Sequence, residues 1–158
     1  MHTGDAPFSG RCSCGEVRFQ VNRTPLFVHG CHCTWCQRQT GTAFAINALV
    51  ETTAVEIRQG APEAVAVPSP SGKGQSIVRC PSCRVALWSH YAGRDTMAFV
   101  RVGTLDEPHR ISPDVHIYTS TKHPCVTLPD GVLAVPEYYD AREHWPAESL
   151  ARARAARG

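Results

Sequence analysis

Residues 10–21 read "GRCSCGEVRFQV" and join a pair of cysteines to a strand pattern. Val17, Phe19 and Val21 alternate with polar residues, and this period of two predicts a half-buried β-strand. Cys12 and Cys14 are separated by one residue, which is too close for relaxed disulfide geometry. The stretch therefore predicts a β domain in which paired cysteines bind metal at the start of a strand.

Other short apolar runs between turn residues also predict strands. These runs are "AFAINALV", "AVEIRQG", "QSIVRC", "VALWSHY", "TMAFVRVG" and "DVHIYT". Residues 67–75, "VPSPSGKGQ", predict a turn or a hairpin loop because Pro, Gly and Ser dominate them. Helical patterns are almost absent, so we expect a mainly β domain over residues 1–140.

Residues 141–158 form a different segment. The stretch "WPAESLARARAARG" can form a short helix that begins near Pro146, because Pro fits the first helical turn and Ala, Leu and Arg favour helix. Its arginines, Arg152, Arg154 and Arg157, could contact an acidic partner. A solvent-exposed or frayed terminus is the simpler interpretation.

The bulk properties exclude several classes of partner. A formal net charge of +2 is too small to indicate binding to nucleic acid or to an anionic membrane. No run approaches the roughly 18 apolar residues that a membrane span needs. Residues 1–15, "MHTGDAPFSGRCSCG", show neither a basic start nor an apolar run, so we expect no secretory signal and a reducing, cytoplasmic location.

Most of the cysteines cluster, which favours metal ligation over packing as small apolar residues. They form three groups, "RCSCGE", "GCHCTWC" and "RCPSCR". Cys12, Cys14, Cys80 and Cys83 would close a tetrahedral zinc site that links the start of the chain to its middle. Such four-cysteine sites are structural, and their binding energy is effectively folding energy.

The remaining cysteine trio, Cys31, Cys33 and Cys36, leaves one position of a tetrahedral ion open. Three protein ligands with an open fourth position are typical of a catalytic zinc. Three thiolates make the ion a poorer Lewis acid than three neutral histidines do, so a soft thiolate suits the open position better than hydroxide. The trio therefore predicts binding and activation of a small thiol.

Other ligand arrangements stay open. In an extended segment the side chain of His32 points away from both neighbouring cysteines, so we do not expect it to bind the ion. His29 and His90 are unsupported alternatives, and we expect His2 to lie in a mobile terminus. A zinc ribbon ranks second, because it leaves three clustered cysteines without a role. Its ligands would be Cys33, Cys36, Cys80 and Cys83.

The chain resembles the glutathione-dependent formaldehyde-activating enzyme family, which also includes centromere protein V. The likeness extends from Phe8 to about Asp140 and rests first on the order and spacing of the three cysteine groups. The stretches that carry it are "GRCSCGEVRF", "CHCTWCQRQTGTAF", "RCPSC", "FVRVGTLDEP", "DVHIYTSTKHP" and "LPDGVLAVPEYYD".

The resemblance implies a β-tent fold and two Zn²⁺ ions, one structural in the four-cysteine site and one catalytic in the trio. It also implies carbon–sulfur lyase activity, in which a thiol such as glutathione adds to formaldehyde or a similar small aldehyde, and the reverse. The alternative is a zinc-ribbon-like or β-tent binding module with purely structural zinc, which needs no open coordination position. A nucleic-acid module ranks lower because the chain lacks a basic stripe.

Two residues depart from the family pattern. Relatives often have Gly where Arg84 follows "CPSC", and a left-handed conformation there would cost a non-glycine residue about 1 kcal/mol. Relatives often have Trp where Cys125 lies, and we expect Cys125 to be a buried small apolar residue.

Substrate contacts are predicted only near the trio. Arg38 lies beside it in the sequence and could pair with a carboxylate of a peptide-like thiol. His32, His116 and Tyr118 are candidate general acids for the alkoxide that forms when the thiol attacks an aldehyde.

Overall fold

The computed structural model describes residues 5–158, so His2 lies outside the described residues. Within them the chain is mainly β, as the sequence predicts, with two sheets and three short α-helices. The strands are β1 (Phe8–Arg11), β2 (Arg18–Val21), β3 (Phe27–Cys31), β4 (Ala45–Glu51), β5 (Val55–Gln59), β6 (Glu63–Val67), β7 (Gln75–Arg79), β8 (Ala86–Tyr91), β9 (Met97–Arg101), β10 (Val115–Ile117) and β11 (Leu133–Ala134). The helices are α1 (Thr34–Thr40), α2 (Ala141–His144) and α3 (Ala147–Ala155).

The smaller sheet has the order β1-β2-β5, and the larger sheet has the order β11-β10-β3-β4-β9-β8-β7-β6. Neighbouring strands are antiparallel except that β10 runs parallel to both β3 and β11. Every run for which the sequence predicts a strand contains one, and the predicted loop at residues 67–75 connects β6 to β7. The strands β1, β3, β6 and β11 were not predicted.

One face of the larger sheet packs against the smaller sheet and forms the main apolar core. Alternate residues of β2, such as Phe19 and Val21, meet Trp88, Val100 and other buried residues of the larger sheet. The rings of Phe19 and Trp88 are in edge contact with centroids 5.5 Å apart. This packing fixes the registers of β3, β4 and β9, which carry the candidate site on their opposite face.

The C-terminal segment packs against the body of the protein. Helix α3 begins directly after Pro146, as predicted. Ala153 is buried with Leu26 and Leu49, and Arg152 donates hydrogen bonds of 2.9 and 2.7 Å to the buried carboxylate of Glu51. The interpretation of this segment as a frayed terminus is therefore wrong, because Arg152 finds its acidic partner within the same chain.

In residues 5–158, no helix has the length and apolar character that crossing a membrane requires.

Candidate metal centres

The sulfurs of the four-cysteine group (Cys12, Cys14, Cys80 and Cys83) lie close together. Cys12 directly follows β1 of the smaller sheet, and Cys80 directly follows β7 of the larger sheet. The Sγ atoms of Cys12 and Cys14 are 3.4 Å apart, those of Cys14 and Cys80 are 3.7 Å apart, and all four lie within 4.8 Å of one another. A tetrahedral ion with Zn–S bonds of about 2.3 Å separates its sulfurs by roughly 3.8 Å. The donor set and its spacing therefore fit one zinc ion.

Two similar turns present these sulfurs. Each turn ends in a residue with positive φ, Gly15 at 78° and Arg84 at 62°. Arg84 thus adopts the left-handed conformation considered from the sequence. Its exposed guanidinium forms an ion pair of 3.0 Å with Glu63.

Backbone N–H groups stabilise two thiolates of this group, those of Cys12 and Cys83. The N–H of Val17 donates to the Sγ of Cys12 at 3.3 Å. Hydrogen bonds from the backbone N–H groups of Val85 and Cys14 lower the pKa of Cys83 to about 6. A thiol that ionises near neutral pH can bind a cation without a large free-energy cost for losing its proton.

The cysteine trio lies where β3 meets α1. Cys31 is the last residue of β3, and Cys33 is the N-cap of α1 in an extended conformation, with its Sγ accepting a 3.3 Å hydrogen bond from the N–H of Cys36. The Sγ atoms of Cys31 and Cys33 are 3.5 Å apart, and all three sulfurs lie within 4.8 Å of one another. The sulfurs are thus grouped as four and three, and the zinc-ribbon arrangement does not form.

Helix α1 was not predicted, although it brings Cys36 back toward Cys31. A signal was present at its end. Gly41 follows Thr40 with φ 65° and its N–H bonds to the carbonyl of Gln37, which is a common helix C-cap. The trio therefore lies where a strand is followed by two turns of helix.

Crowding of the three sulfurs disfavours their ionising together. Hydrogen bonds from the Cys31 and Cys36 thiols lower the pKa of Cys33 to about 2. Hydrogen bonds to Cys33 and Cys36, together with burial, raise the pKa of Cys31 far above its usual value. Ionisation of one thiol thus opposes ionisation of its neighbours, and a bound divalent cation would offset the combined negative charge. Both cysteine groups could hold a metal ion.

His32 does not join the sulfurs, in agreement with the prediction from its extended segment. Its Nε2 lies 2.9 Å from Nδ1 of His116, and its ring stacks on Phe44 with centroids 4.8 Å apart. Burial and the charges of His116 and Lys122 lower the pKa of His32 to about 4, so the ring is neutral near pH 7. Its carbonyl accepts hydrogen bonds from Gln37 and Thr121, which fix the segment between the first two cysteines of the trio.

The ring nitrogens of the other two histidines considered as ligands lie within hydrogen-bonding distance of groups other than the sulfurs. Nε2 of His29 lies 2.7 Å from the hydroxyl of Tyr139, and Nδ1 of His90 lies 2.8 Å from the carbonyl of Met97. Neither belongs to a sulfur group in residues 5–158.

Tyr118 packs against the apolar cluster that contains Cys31 and Cys36. Burial and the neighbouring Cys31 and Cys33 raise the pKa of its hydroxyl, which is therefore protonated near neutral pH. Of the three candidate acids, Tyr118 is the one in the same cluster as the trio, whereas His32 and His116 bond to each other.

Arg38 is exposed, and it lies two residues after the buried Cys36. Residues two apart in a helix lie on different faces, so Arg38 projects away from the side of α1 that carries Cys36. Its role in binding a carboxylate stays a prediction.

Cys125 is exposed, and the expectation of a buried apolar residue is wrong. It lies in the loop between residues 121 and 133, where no strand draws its side chain into the core. Its Sγ is 2.9 Å from Nδ1 of His123.

A buried arginine on β9 is the functional candidate that the sequence analysis missed. Arg101 is 6% exposed and is paired with Asn47 in the sheet. Asn47 is in turn paired with His29, so the three side chains lie on the same sheet face. The signal was a single charged residue within the apolar run "MAFVRVG". A charge at that position indicates either an unusual edge or a polar site inside the protein.

Comparison with known protein families gives a match for the model described as glutathione-dependent formaldehyde-activating enzyme, over residues 7–121. The chain belongs to this family. The matched region contains both cysteine groups. The name of the glutathione-dependent formaldehyde-activating enzyme family describes an activity on formaldehyde that requires glutathione.

Two further comparisons add no functional information. No curated protein matches the chain. A crystal structure of a Rhodobacter sphaeroides protein is 19% identical with a TM-score of 0.47, and the match covers 66% of this chain and 91% of that chain.

Proposed function

We propose that the protein is a zinc-dependent carbon–sulfur lyase that binds a small thiol, such as glutathione, and joins it to or releases it from formaldehyde or a similar aldehyde. The observation that carries the proposal is the cysteine trio. Its three sulfurs lie within 4.8 Å of one another, and no fourth Cys, His, Asp or Glu in residues 5–158 joins them. Three ligands suit a catalytic zinc, whereas the four sulfurs of the other group suit a structural one.

The two groups would hold their ions for different purposes. The four-cysteine group would join turns that are distant in sequence, and so serve the fold. When bound by the trio, zinc supplies a position for the substrate sulfur and lowers the pKa of that thiol.

The chemical balance of the reaction requires one proton donor. In the forward direction a bond forms between the thiolate sulfur and the carbonyl carbon, the π electrons move to oxygen, and a proton reaches that oxygen. The reverse reaction breaks the carbon–sulfur bond and takes the proton back. We assign the proton to the Tyr118 hydroxyl, because it packs in the same cluster as the trio and is protonated at neutral pH.

The segment that carries the trio is held by groups that do not bind metal. Gln37 and Thr121 donate hydrogen bonds of 2.7 and 3.0 Å to the carbonyl of His32. His32 and His116 then hold each other at 2.9 Å on the side away from the sulfurs. Such supporting contacts keep ligands in their binding geometry.

The test combines a zinc count with zinc K-edge spectroscopy, with and without millimolar glutathione. Wild type should contain two zinc ions per chain, and the spectrum should change on addition of the thiol. Cys33→Ala should lose one zinc and the response, and Cys125→Ser, which removes an exposed thiol outside both groups, should behave as wild type. A wild-type spectrum that no thiol changes would leave a binding module with purely structural zinc.

A kinetic measurement tests the reaction itself. Magnetisation exchange between glutathione and its ¹³C-formaldehyde adduct should be faster with wild-type protein than without it. Cys33→Ala should return the exchange to the uncatalysed rate. Equal rates with and without wild-type protein would contradict lyase activity.

A further inference from the structure

Arg101 is a buried cation whose hydrogen-bonding capacity is only partly used. Its Nη1 donates to Oδ1 of Asn47, but its Nε and Nη2 are buried and have no acceptor in the protein. In residues 5–158, no carboxylate forms an ion pair with it. A guanidinium stays charged at all relevant pH values, so burying it with two unpaired donors is costly. This arrangement is explained if the donors serve an anionic ligand.

The two unpaired nitrogens have the geometry for one kind of anion. Nε and Nη2 lie on the same edge of the planar guanidinium, with their N–H bonds parallel. A carboxylate accepts such a pair with its two oxygens, and this bidentate pairing is stronger and more specific than a single hydrogen bond. Asn47 takes the remaining edge and fixes the plane of the group.

Other unpaired polar groups share this sheet face. Ser89 is paired with Phe99, which lies two residues before Arg101 on β9, so Ser89 and Arg101 share a face. Tyr91 lies two residues after Ser89 on β8 and is paired with Gln75, so Gln75 shares that face as well. Ser89 and Gln75 are buried, and Oγ of Ser89 and Nε2 of Gln75 have no partner in the protein. We call Arg101, Asn47, Ser89 and Gln75 the polar face. Buried polar groups without partners are uncommon in proteins, and several on one face indicate a ligand site.

The polar face borders the cysteine trio. Cys31 lies two residues after His29, which is opposite Asn47 in the sheet, so the Cys31 side chain is on the same face. Helix α1 lies over this face, because Nε1 of Trp35 donates to Oε1 of Gln75 at 3.1 Å. The Arg101 guanidinium also interacts electrostatically with the Cys36 thiol.

We propose that Arg101, with Ser89 on the same sheet face, binds the carboxylate of the substrate while the substrate sulfur binds at the trio. This inference rests on the proposed function and narrows it to thiols that carry a carboxylate. It also transfers the carboxylate-binding role from Arg38, which is exposed and on another side of α1, to an arginine that is buried beside the site.

The test compares two thiols of the same size, 3-mercaptopropionate and 3-mercaptopropionamide, by titration calorimetry on the zinc-loaded protein. Wild type should bind the acid about 10- to 100-fold more tightly than the amide, as expected for a charged hydrogen-bonded pair. Arg101→Lys should remove most of this preference, because a lysine keeps the charge but lacks the paired donors. Arg58→Lys is the matched control, since Arg58 is exposed on the smaller sheet.

Ser89→Ala gives a second variant that should fold normally, because it removes a buried hydroxyl that has no partner. We expect it to reduce the preference for the acid by several-fold without changing the binding of the amide. A preference that Arg38→Ala abolishes and Arg101→Lys retains would overturn the assignment.

Two outcomes separate this inference from the proposed function. If both thiols change the zinc K-edge spectrum and bind equally well to wild type and to Arg101→Lys, the carboxylate site is wrong and the lyase function stands. 3-(Methylthio)propionate, which has a carboxylate but no ionisable thiol, supplies the converse test. If it binds in an Arg101-dependent manner while no thiol affects the zinc, the anion site stands and the lyase function fails.

Discussion

Cys80 is fully buried, and its sulfur lies 3.7 Å from that of Cys14, 66 residues earlier in the chain. A metal ion bound by both residues cross-links the unfolded chain over that distance. The loop entropy removed by such a cross-link corresponds to about 4 kcal/mol at 25 °C. A domain of this kind has a total unfolding free energy of about 5–15 kcal/mol. Cys80→Ala should therefore remove a large fraction of the stability.

Cys33→Ala is the matched comparison, because it also removes one thiolate from a cysteine group. The trio spans only residues 31–36 and joins no distant segments. The same entropy argument gives about 2 kcal/mol for a loop of that length. Cys33→Ala should stay folded with about one zinc fewer, whereas Cys80→Ala should be about 2 kcal/mol less stable than Cys33→Ala.

The assay is urea denaturation followed by fluorescence and circular dichroism, with zinc counted on the same samples. Addition of a chelator to wild type should move its midpoint toward that of Cys80→Ala. Equal losses of stability in the two variants, or a single zinc in wild type, would refute the division into a structural and an open site.

Three further predictions concern residues around the site and the C-terminal helix. His32→Ala should keep both zinc ions by elemental analysis, because His32 bonds to His116 rather than to the sulfurs; loss of one zinc would make it a ligand. Gly30→Ala should destabilise the protein by about 1–3 kcal/mol in urea denaturation, since an added Cβ would lie 2.7 Å from Nδ1 of His116; an unchanged midpoint would contradict the close packing. Arg152→Met should lower the unfolding free energy by about 3 kcal/mol in urea denaturation. This is the low end of the range for removing one partner of a buried ion pair, because Arg23 still contacts Glu51. Burial alone would raise the pKa of Glu51, but the hydrogen bonds and charge of Arg152 outweigh burial, so the pKa is lowered. The stability that this pair contributes is therefore present above the ordinary carboxyl pKa and is lost as the pH falls through the lowered pKa. Parallel acid-denaturation curves for wild type and Arg152→Met would contradict this assignment.

Local patterns explain which parts of the molecule could be predicted. The alternation in "GEVRFQV" and the spacing of the cysteines act within a few residues, so seven of the eleven strands in residues 5–158 and the two cysteine groups could be predicted. Helix α1 was missed because its seven residues carry a metal-ligand motif rather than an apolar stripe. Cys125 was misjudged because burial depends on what packs against a loop, which composition does not reveal.

The sequence by itself determined the fold class and the candidate metal ligands of the protein: a mainly β chain with seven clustered thiols, most simply divided as four and three. Cysteine spacing favours this division, because the ligands of each turn are close together in the chain, and the structure shows which turns meet. Only the tertiary structure decided which arginine faces the trio. Arg38 is two residues from Cys36 in sequence, yet the helix turns it outward, whereas Arg101 is 65 residues away and is brought beside the site by the pairing of β4 with β9. Sheet register is set by long-range packing of the opposite face, and no local pattern contains that information.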